Sequence, residues 1–286
     1  MKKLIALLLA LSMLFVLAAC EAKVNVDVNG NNKESEATTT EATKDGETTE
    51  EADATEDTQG EEIDPPAQTE VMTHEEFMAA QADEAVLVEG YVQATQAWWS
   101  EAINVYMQTE EGGYYIYKLT CSEEDAAKLV PGTKIRVSGY KLIWEGLHEI
   151  NAGATFEFVE AAPYVAEAVN MTDLLDQEGL EKYQGMFASF EGMTVEPSTD
   201  ATGAEAAFLY GWDGSGEEGS DSDLYFNVSK DGQVYTFVVE YYLCDNNSAA
   251  YKAVQNLKIG DVIDLEGFVY WYSGLQLHTT SVAAAQ

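Results

Sequence analysis

An internal repeat in the C-terminal part of the chain constrains the fold more than any other feature. Residues 131–140 match residues 259–268 in glycine placement and in the alternation of apolar and polar residues, and residues 72–73 recur as 171–172. The offset between the copies grows from 99 to 128 residues and changes only between matched blocks. Insertions between the matched blocks are expected to lie in loops, as they do in homologous repeats. The sequence therefore predicts two copies of one module, at 71–166 and 167–286.

Each copy is expected to form three strands, a short helix and two further strands. Gly112-Gly113 and Asp231-Gly232 lie between alternating apolar residues, as tight hairpin turns require. Cys121 and Cys244 are expected to end the third strands. A helix should then begin after Ser122 in one copy, covering 123–129, and after Asn247 or Ser248 in the other, covering 249–257.

This order of elements resembles the OB-fold, a partly open five-stranded barrel with a helix between its third and fourth strands. The chain is similar to the OB modules of bacterial surface lipoproteins and of accessories to secreted nucleases. The predicted fold class is all-β with short helices, arranged as two tandem five-stranded OB-fold-like barrels. A generic β-sandwich is the alternative, and the helix present in both copies argues against it.

Aromatic residues mark the places where an OB-fold binds its ligand. These folds use the face of strands two and three, framed by the loops between strands one and two and between strands four and five. Rings there would form a stacking surface for a base, a sugar or an aromatic side chain. We predict these ligand-binding residues: Trp98, Trp99, Tyr106, Tyr115, Tyr117, Trp144, Trp212 and Trp271.

The tryptophans have a structural alternative, which is to close the ends of the barrels. Trp98 and Trp99 are adjacent, so at least one of the two side chains should face solvent if this segment is extended. The sequence does not indicate which module binds.

The charge of the modules bears on the class of ligand. Residues 71–286 carry 35 acidic residues against nine lysines and arginines, a net charge of −26. Because phosphate contacts supply most non-specific affinity for nucleic acid, this charge argues against nucleic acid as a partner. The leading hypothesis is a non-catalytic binding or interaction module for a glycan, peptide or protein. The alternative is a nucleotide or single-stranded nucleic-acid binder that assists an extracellular nuclease, with phosphate contacts from Lys134, Arg136 and Lys141.

Sequence motifs for catalysis or metal binding are missing. The three histidines, His74, His148 and His278, fall in unrelated elements, and there is no HExxH, GxSxG or phosphate-binding glycine loop. We therefore predict no enzyme activity, no catalytic residue, no metal and no cofactor. The acidic run 213–223 lacks the glycine and glutamate of an EF-hand, which argues against calcium.

The two module cysteines, Cys121 and Cys244, occupy equivalent positions. A shared role in the core is favoured over a disulfide, although an oxidising compartment would permit a bridge.

The N-terminus predicts export and lipidation. Two lysines precede an apolar run at 4–19, which is too short to cross a bilayer. Leu17-Ala18-Ala19-Cys20 resembles the lipobox of bacterial lipoproteins. The resemblance implies a signal peptide at 1–19, cleavage before Cys20, a diacylglyceryl group on its sulfur and a further acyl chain, such as palmitate, on its amino group. The expected location is the extracytoplasmic face of the cell membrane, held by this lipid anchor.

A linker separates the predicted anchor from the modules. Residues 21–70 contain 16 acidic residues, three lysines and no aromatic residue. Such a segment cannot bury enough apolar surface to offset its ordering entropy, so we expect 20–70 to be a disordered acidic tether.

Overall fold

The computed structural model describes residues 68–175 and 177–285. Both predicted modules belong to one compact unit, Gly60–Gln286. The predicted signal peptide, Cys20 and the tether up to residue 67 lie outside the described residues. None of the helices in the described part of the chain is long and apolar enough to span a membrane.

The first module is a closed barrel of five strands. Its elements in chain order are α1 (His74–Ala79), β1 (Ala85–Thr95), β2 (Ala102–Gln108), β3 (Gly113–Thr120), α2 (Glu123–Ala126), β4 (Lys134–Trp144), β5 (Leu147–Ile150) and β6 (Thr155–Phe158). The strands are ordered β1-β2-β3-β5-β4, and β4 pairs back onto β1. β3 and β5 run parallel, all the other barrel pairs are antiparallel, and β6 extends the sheet beyond β4.

The second module repeats this connectivity. Its elements are β7 (Val169–Asn170), β8 (Phe187–Glu196), β9 (Ser198–Thr199), β10 (Glu205–Ala206), β11 (Leu209–Tyr210), β12 (Leu224–Lys230), β13 (Gln233–Val239), α3 (Ala249–Gln255), β14 (Val262–Trp271) and β15 (Leu275–Ala284). Here the order is β12-β13-β15-β14-β8, closed by pairing of β12 with β8, and β13 runs parallel to β15. The prediction of two tandem five-stranded OB-fold-like barrels is confirmed.

Local sequence explains the hairpins and helix starts. Asp231 and Gly232 both have positive φ, 51° and 83°, which a two-residue hairpin turn with matching twist requires. The Ser122 side chain accepts a hydrogen bond from the Asp125 amide at 3.1 Å, and Ser248 caps α3 in the same way. Both helices end a few residues before their predicted ends.

The third strand of the second barrel is shorter than predicted. β13 ends at Val239, and a turn replaces the last residues before Cys244. The amides of Leu243 and Cys244 donate to the carbonyl of Glu240 at 3.1 and 2.8 Å, so this turn satisfies its own backbone instead of pairing with a strand. Cys121 and Cys244 are both free thiols.

Each barrel has its own core, and a third apolar cluster lies between the barrels. Its buried members are Tyr106, Tyr115, Leu147 and Phe268. The Tyr106 ring stacks on Phe268 with centroids 4.5 Å apart, and its hydroxyl is hydrogen bonded to Nδ1 of His278 at 2.6 Å. The Phe187 amide also donates to the Gln108 side chain at 2.8 Å. The barrels are therefore docked by both apolar and polar contacts.

Replacing Tyr106 with phenylalanine should destabilise this docking. The ring and its stacking on Phe268 would remain, but His278 Nδ1 would lose its buried partner, at a cost of about 1–3 kcal/mol. Tyr140→Phe is the matched control, because Tyr140 is exposed. Thermal unfolding followed by circular dichroism should show a lower midpoint for Tyr106→Phe alone; equal midpoints would contradict the assigned role.

Candidate functional site: a cleft between the two barrels

A cleft of ≈ 630 Å³ opens between the strand-two and strand-three faces of the two barrels. The first barrel contributes residues of β2, β3, β4 and β5, and the second contributes their counterparts in β12, β13, β14 and β15 together with Trp212. The surface that an OB-fold ordinarily offers to a ligand therefore faces its equivalent on the other barrel. The volume is in the range of small-molecule pockets.

Seven aromatic residues line this cleft. They are Tyr115, Tyr117 and Trp144 from the first barrel and Trp212, Tyr225, Tyr270 and Tyr272 from the second. Trp144 and Tyr272 lie with ring centroids 5.1 Å apart, and Tyr115 meets the edge of Tyr270 at 5.4 Å. Trp144 is 47% exposed and Trp212 is 77% exposed. Rings that reach both barrels and remain accessible provide stacking surface for a planar or ring-shaped ligand.

Two carboxyl groups lie among these rings. Glu149, on β5 of the first barrel, is only 4% exposed, and Glu240 follows β13 of the second barrel. Burial raises the pKa of each carboxyl from 4.5 to about 7, and Asp223 adds to the effect on Glu240 by repulsion. The cleft therefore contains polar groups whose ionised form is destabilised by burial.

His278 lies in the wall of the cleft between the two barrels. Its ring stacks on Tyr270 with centroids 3.9 Å apart, and Nδ1 is hydrogen bonded to Tyr106. Burial lowers the pKa of this imidazole to about 3, so it is neutral near pH 7. It contributes no positive charge to the cleft.

The adjacent tryptophans on the β1–β2 loop have different surroundings. Trp98 packs against the first core and donates from its indole nitrogen to the Cys121 carbonyl at 3.0 Å. Trp99 is 82% exposed. Both line a second groove of ≈ 330 Å³ with Tyr242 and Lys118, and this groove shares Asn104 with the main cleft.

The remaining predicted aromatic residues divide between the cleft and the docking surface. Tyr115, Tyr117, Trp144 and Trp212 line the cleft. Tyr106 is buried between the barrels, and Trp271 packs partly buried against the second core and the interbarrel cluster. Neither of these two is a lining residue of the cleft.

The three predicted phosphate contacts lie away from the cleft and have protein partners. Lys134 and Arg136 both form ion pairs with Glu89, and Arg136 also pairs with Glu157 at 2.6 Å. Lys141 is buried, and its ammonium donates to the Phe77 carbonyl and lies over the Phe77 ring at 4.1 Å. None of the three lines the cleft.

Sequence reasoning missed four polar groups of the cleft: Asn104, Glu240, Gln276 and His278. It placed Glu149 near the expected site of the first module but interpreted it as a surface residue, whereas Glu149 is buried in the cleft wall. It also missed three rings: Tyr225 on β12, and Tyr270 and Tyr272, which flank the predicted Trp271. Alternation along a strand places the side chains of Tyr270 and Tyr272 on the face opposite Trp271, and this signal could have indicated them. No sequence signal distinguishes Glu149 or Glu240 from the many surface acids of this chain.

No cluster of three or more His, Cys, Asp or Glu side chains suited to a metal is found within residues 68–175 and 177–285. In the acidic loop, Asp213 accepts a hydrogen bond from the Ser215 amide at 3.0 Å, which is a local turn contact.

Comparisons with known proteins gave matches among solved structures only. No protein-family model matches the sequence, and no curated protein matches it. A murine DNA-binding protein bound to double-stranded DNA matches at 13% identity and TM-score 0.34, over 71% of this chain and 97% of the other. The Ifi202 HINa domain in complex with double-stranded DNA matches at 13% and 0.32, over 71% and 100%. A Replication Protein A heterotrimer bound to single-stranded DNA matches at 11% and 0.27, over 72% and 49%.

These matches correct one prediction. The sequence charge argued against nucleic acid as a partner, yet the matched structures include complexes with double-stranded and single-stranded DNA. The prediction that nucleic acid is an unlikely partner is therefore wrong, and the nucleic-acid alternative of the sequence analysis is kept. At these identities and TM-scores, the likeness carries no argument about which ligand this chain binds.

Replacing Glu149 with glutamine should stabilise the protein at alkaline pH. In the folded protein the pKa of Glu149 is about 7, above its ordinary value of 4.5. The protonated carboxyl therefore contributes to the free energy of unfolding below pH 4.5, and this contribution is lost as the pH rises through about 7. At pH 8, Glu149→Gln should gain on the order of 2 kcal/mol over the parent. At pH 4.5 the difference should vanish.

Denaturant unfolding at both pH values measures this difference. Glu178→Gln is the control, because that carboxyl is exposed and should give no gain at either pH. A loss of stability in Glu149→Gln at pH 8 would show that the carboxylate has a stabilising partner.

Proposed function

We propose that this protein is a non-catalytic binding protein whose ligand occupies the interbarrel cleft. The observation that carries the proposal is the set of seven aromatic side chains lining the cleft, with Trp144 and Trp212 accessible. The ligand stacks a ring, or another flat or apolar group, between the barrels. Glycans, peptides and side chains of a partner protein all offer such groups.

Two features support binding at this place. The cleft is built from the faces that OB-folds use for ligands. Both copies contribute residues to it, so the duplicated module would serve one binding site. The buried carboxyls Glu149 and Glu240 cost stability at neutral and alkaline pH, as groups at functional sites often do.

A single-stranded nucleic acid is the second candidate ligand. The observation that favours it is the position of Lys118. Its ammonium lies 5.0 Å from the centroid of the Tyr117 ring in the cleft, and the residue also lines the Trp98–Trp99 groove. A strand could cross from Trp99 past Lys118 into the cleft, with its bases on the rings and a phosphate near the lysine. The cleft itself has no lysine or arginine among its lining residues.

Tryptophan fluorescence titration tests the proposal and separates the two candidates. The probes are a neutral oligosaccharide, a short peptide and a single-stranded oligonucleotide, each at low and high salt. Trp144→Ala and Trp212→Ala should each weaken binding of the active probe about tenfold, because one stacked ring contributes roughly 1–3 kcal/mol. Tyr140→Ala is the control, since Tyr140 is exposed outside the cleft.

The outcomes differ between the candidates. Nucleic-acid binding should fall steeply with salt and should also be weakened by Lys118→Ala and Trp99→Ala, because these side chains contact the strand. Binding led by stacking in the cleft should change little with salt or with either variant. Affinities unchanged by both Trp144→Ala and Trp212→Ala for every probe that binds would refute the cleft as the site.

We further propose that Cys20 anchors the protein, through lipid, to the extracytoplasmic face of the cell membrane. The support is the Leu17-Ala18-Ala19-Cys20 lipobox at the end of an apolar signal segment.

The anchor is tested by expression in a bacterial host with labelled palmitate. The parent protein should carry label and sediment with membranes, whereas Cys20→Ala should lack label. Cys121→Ala is the matched control and should behave as the parent, since Cys121 is buried in the first barrel. Label retained in Cys20→Ala would contradict the anchor.

A further inference from the structure

We propose that the interbarrel cleft recognises an organic cation, an ammonium or guanidinium group held by Glu149 and Glu240 and covered by the faces of the surrounding rings. This inference rests on the proposed function, because it names the chemistry of the ligand at the same site.

Glu149 is a buried carboxyl without a partner. Its residue is 4% exposed and lines the cleft, and its side chain has no hydrogen bond or ion pair within residues 68–175 and 177–285. Its carboxyl oxygens are not among the fully buried atoms that lack a partner, so they are accessible from the cleft. Charged groups in such confined positions are ordinarily paired, because an unpaired one loses part of its hydration without compensation. A cationic group in the cleft would supply the missing partner.

Glu240 presents a second acceptor from the opposite barrel. Its Oε2 atom is buried and has no hydrogen-bond partner among the described residues. The Glu240 carbonyl, in contrast, accepts from the amides of Leu243 and Cys244, which hold the residue in a defined turn. The carboxylate accepts a side-chain hydrogen bond from Gln96 of the first barrel, while its Oε2 atom remains available to accept another.

The aromatic walls suit a cation as well as they suit a flat ring. Cations are attracted to the faces of Trp and Tyr, most strongly where water is excluded. One ring of the cleft already has such a neighbour, since the Lys118 ammonium lies 5.0 Å from the Tyr117 centroid. Combined carboxyl groups and rings bind alkylammonium and guanidinium groups through charge, hydrogen bonds and cation–π contacts together.

The charges that line the cleft favour a cation. The lining residues include two glutamates and no lysine or arginine, and burial keeps His278 neutral. Lys118 is not a lining residue, although its ammonium lies 5.0 Å from the Tyr117 centroid. Residues 71–286 have a net charge of −26. Such a field attracts cations and raises their local concentration at the cleft.

Two sources could supply this chemistry, namely a free amine or the basic side chain of a peptide. Isothermal titration calorimetry distinguishes them with choline, spermidine and a trilysine peptide as separate probes. Dimethylbutanol, the uncharged carbon isostere of choline, is the control ligand, because it fills the same space without charge. We expect at least one cationic probe to bind at least about tenfold more tightly than the neutral isostere.

The carboxyl variants identify the groups responsible. Glu149→Gln and Glu240→Gln preserve size and should each weaken cation binding about tenfold, as loss of a charged partner does. Glu178→Gln, at an exposed position, should leave it unchanged. Cation binding near pH 7 should release protons from Glu149 and Glu240, and Glu149→Gln and Glu240→Gln should each reduce this release. Calorimetry in buffers of different ionisation enthalpy measures the number of protons released.

Other titratable groups near the two carboxyls are Tyr106, Tyr115, Tyr225, Tyr270, Asp223 and His278. Burial raises the pKa of Asp223, and its carboxylate accepts a hydrogen bond from the Tyr241 amide at 2.8 Å. Asp223→Asn therefore serves as a further variant: it should change cation binding less than Glu149→Gln or Glu240→Gln, because Asp223 does not line the cleft.

Failure of this inference can be told from failure of the proposed function. If a neutral or anionic probe binds and is weakened by Trp144→Ala, while no cation binds more tightly than its isostere, the cleft is a binding site but not for cations. If cation binding is unaffected by Glu149→Gln and Glu240→Gln, the inference is overturned as well. If no probe of any charge depends on Trp144 or Trp212, both proposals fail.

Discussion

The docking of the two barrels determines most of what this molecule can bind. Tyr106 stacks on Phe268 and is hydrogen bonded to His278, so a residue expected to contact ligand instead joins the barrels. An isolated OB-fold exposes the face of strands two and three. Here that face is partly covered by its counterpart, and the uncovered part becomes one cleft shared by both modules.

Because the barrels are docked, the duplication does not simply give two copies of one binding face. Two independent barrels would offer two separate sites, each shaped by one set of loops. The docked barrels form a cleft with walls from both copies, in which Glu149 and Glu240 come from different modules. Divergence between the copies is then useful, because each barrel needs to supply only half of the contacts.

The carboxyl groups show why the site is costly to maintain. Burial raises the pKa of Glu149 and Glu240 to about 7, so the protein is least stable when both carboxyl groups are ionised. A glutamine at either position would fill the same volume without that cost. Ionisable groups kept in such surroundings are characteristic of sites that use their charge.

The two OB-fold barrels could be predicted from local signals, because hairpin turns, helix caps and strand alternation recur in both copies. Several rings of the cleft, such as Trp144 and Trp212, could be predicted too, because loop positions follow from strand order. That Glu149 and Glu240 line one cleft, and that Tyr106 is buried, became evident from the packed barrels alone. Those outcomes depend on contacts such as Tyr106–His278, between residues 172 positions apart, and side-chain packing between two barrels leaves no periodic trace in the chain.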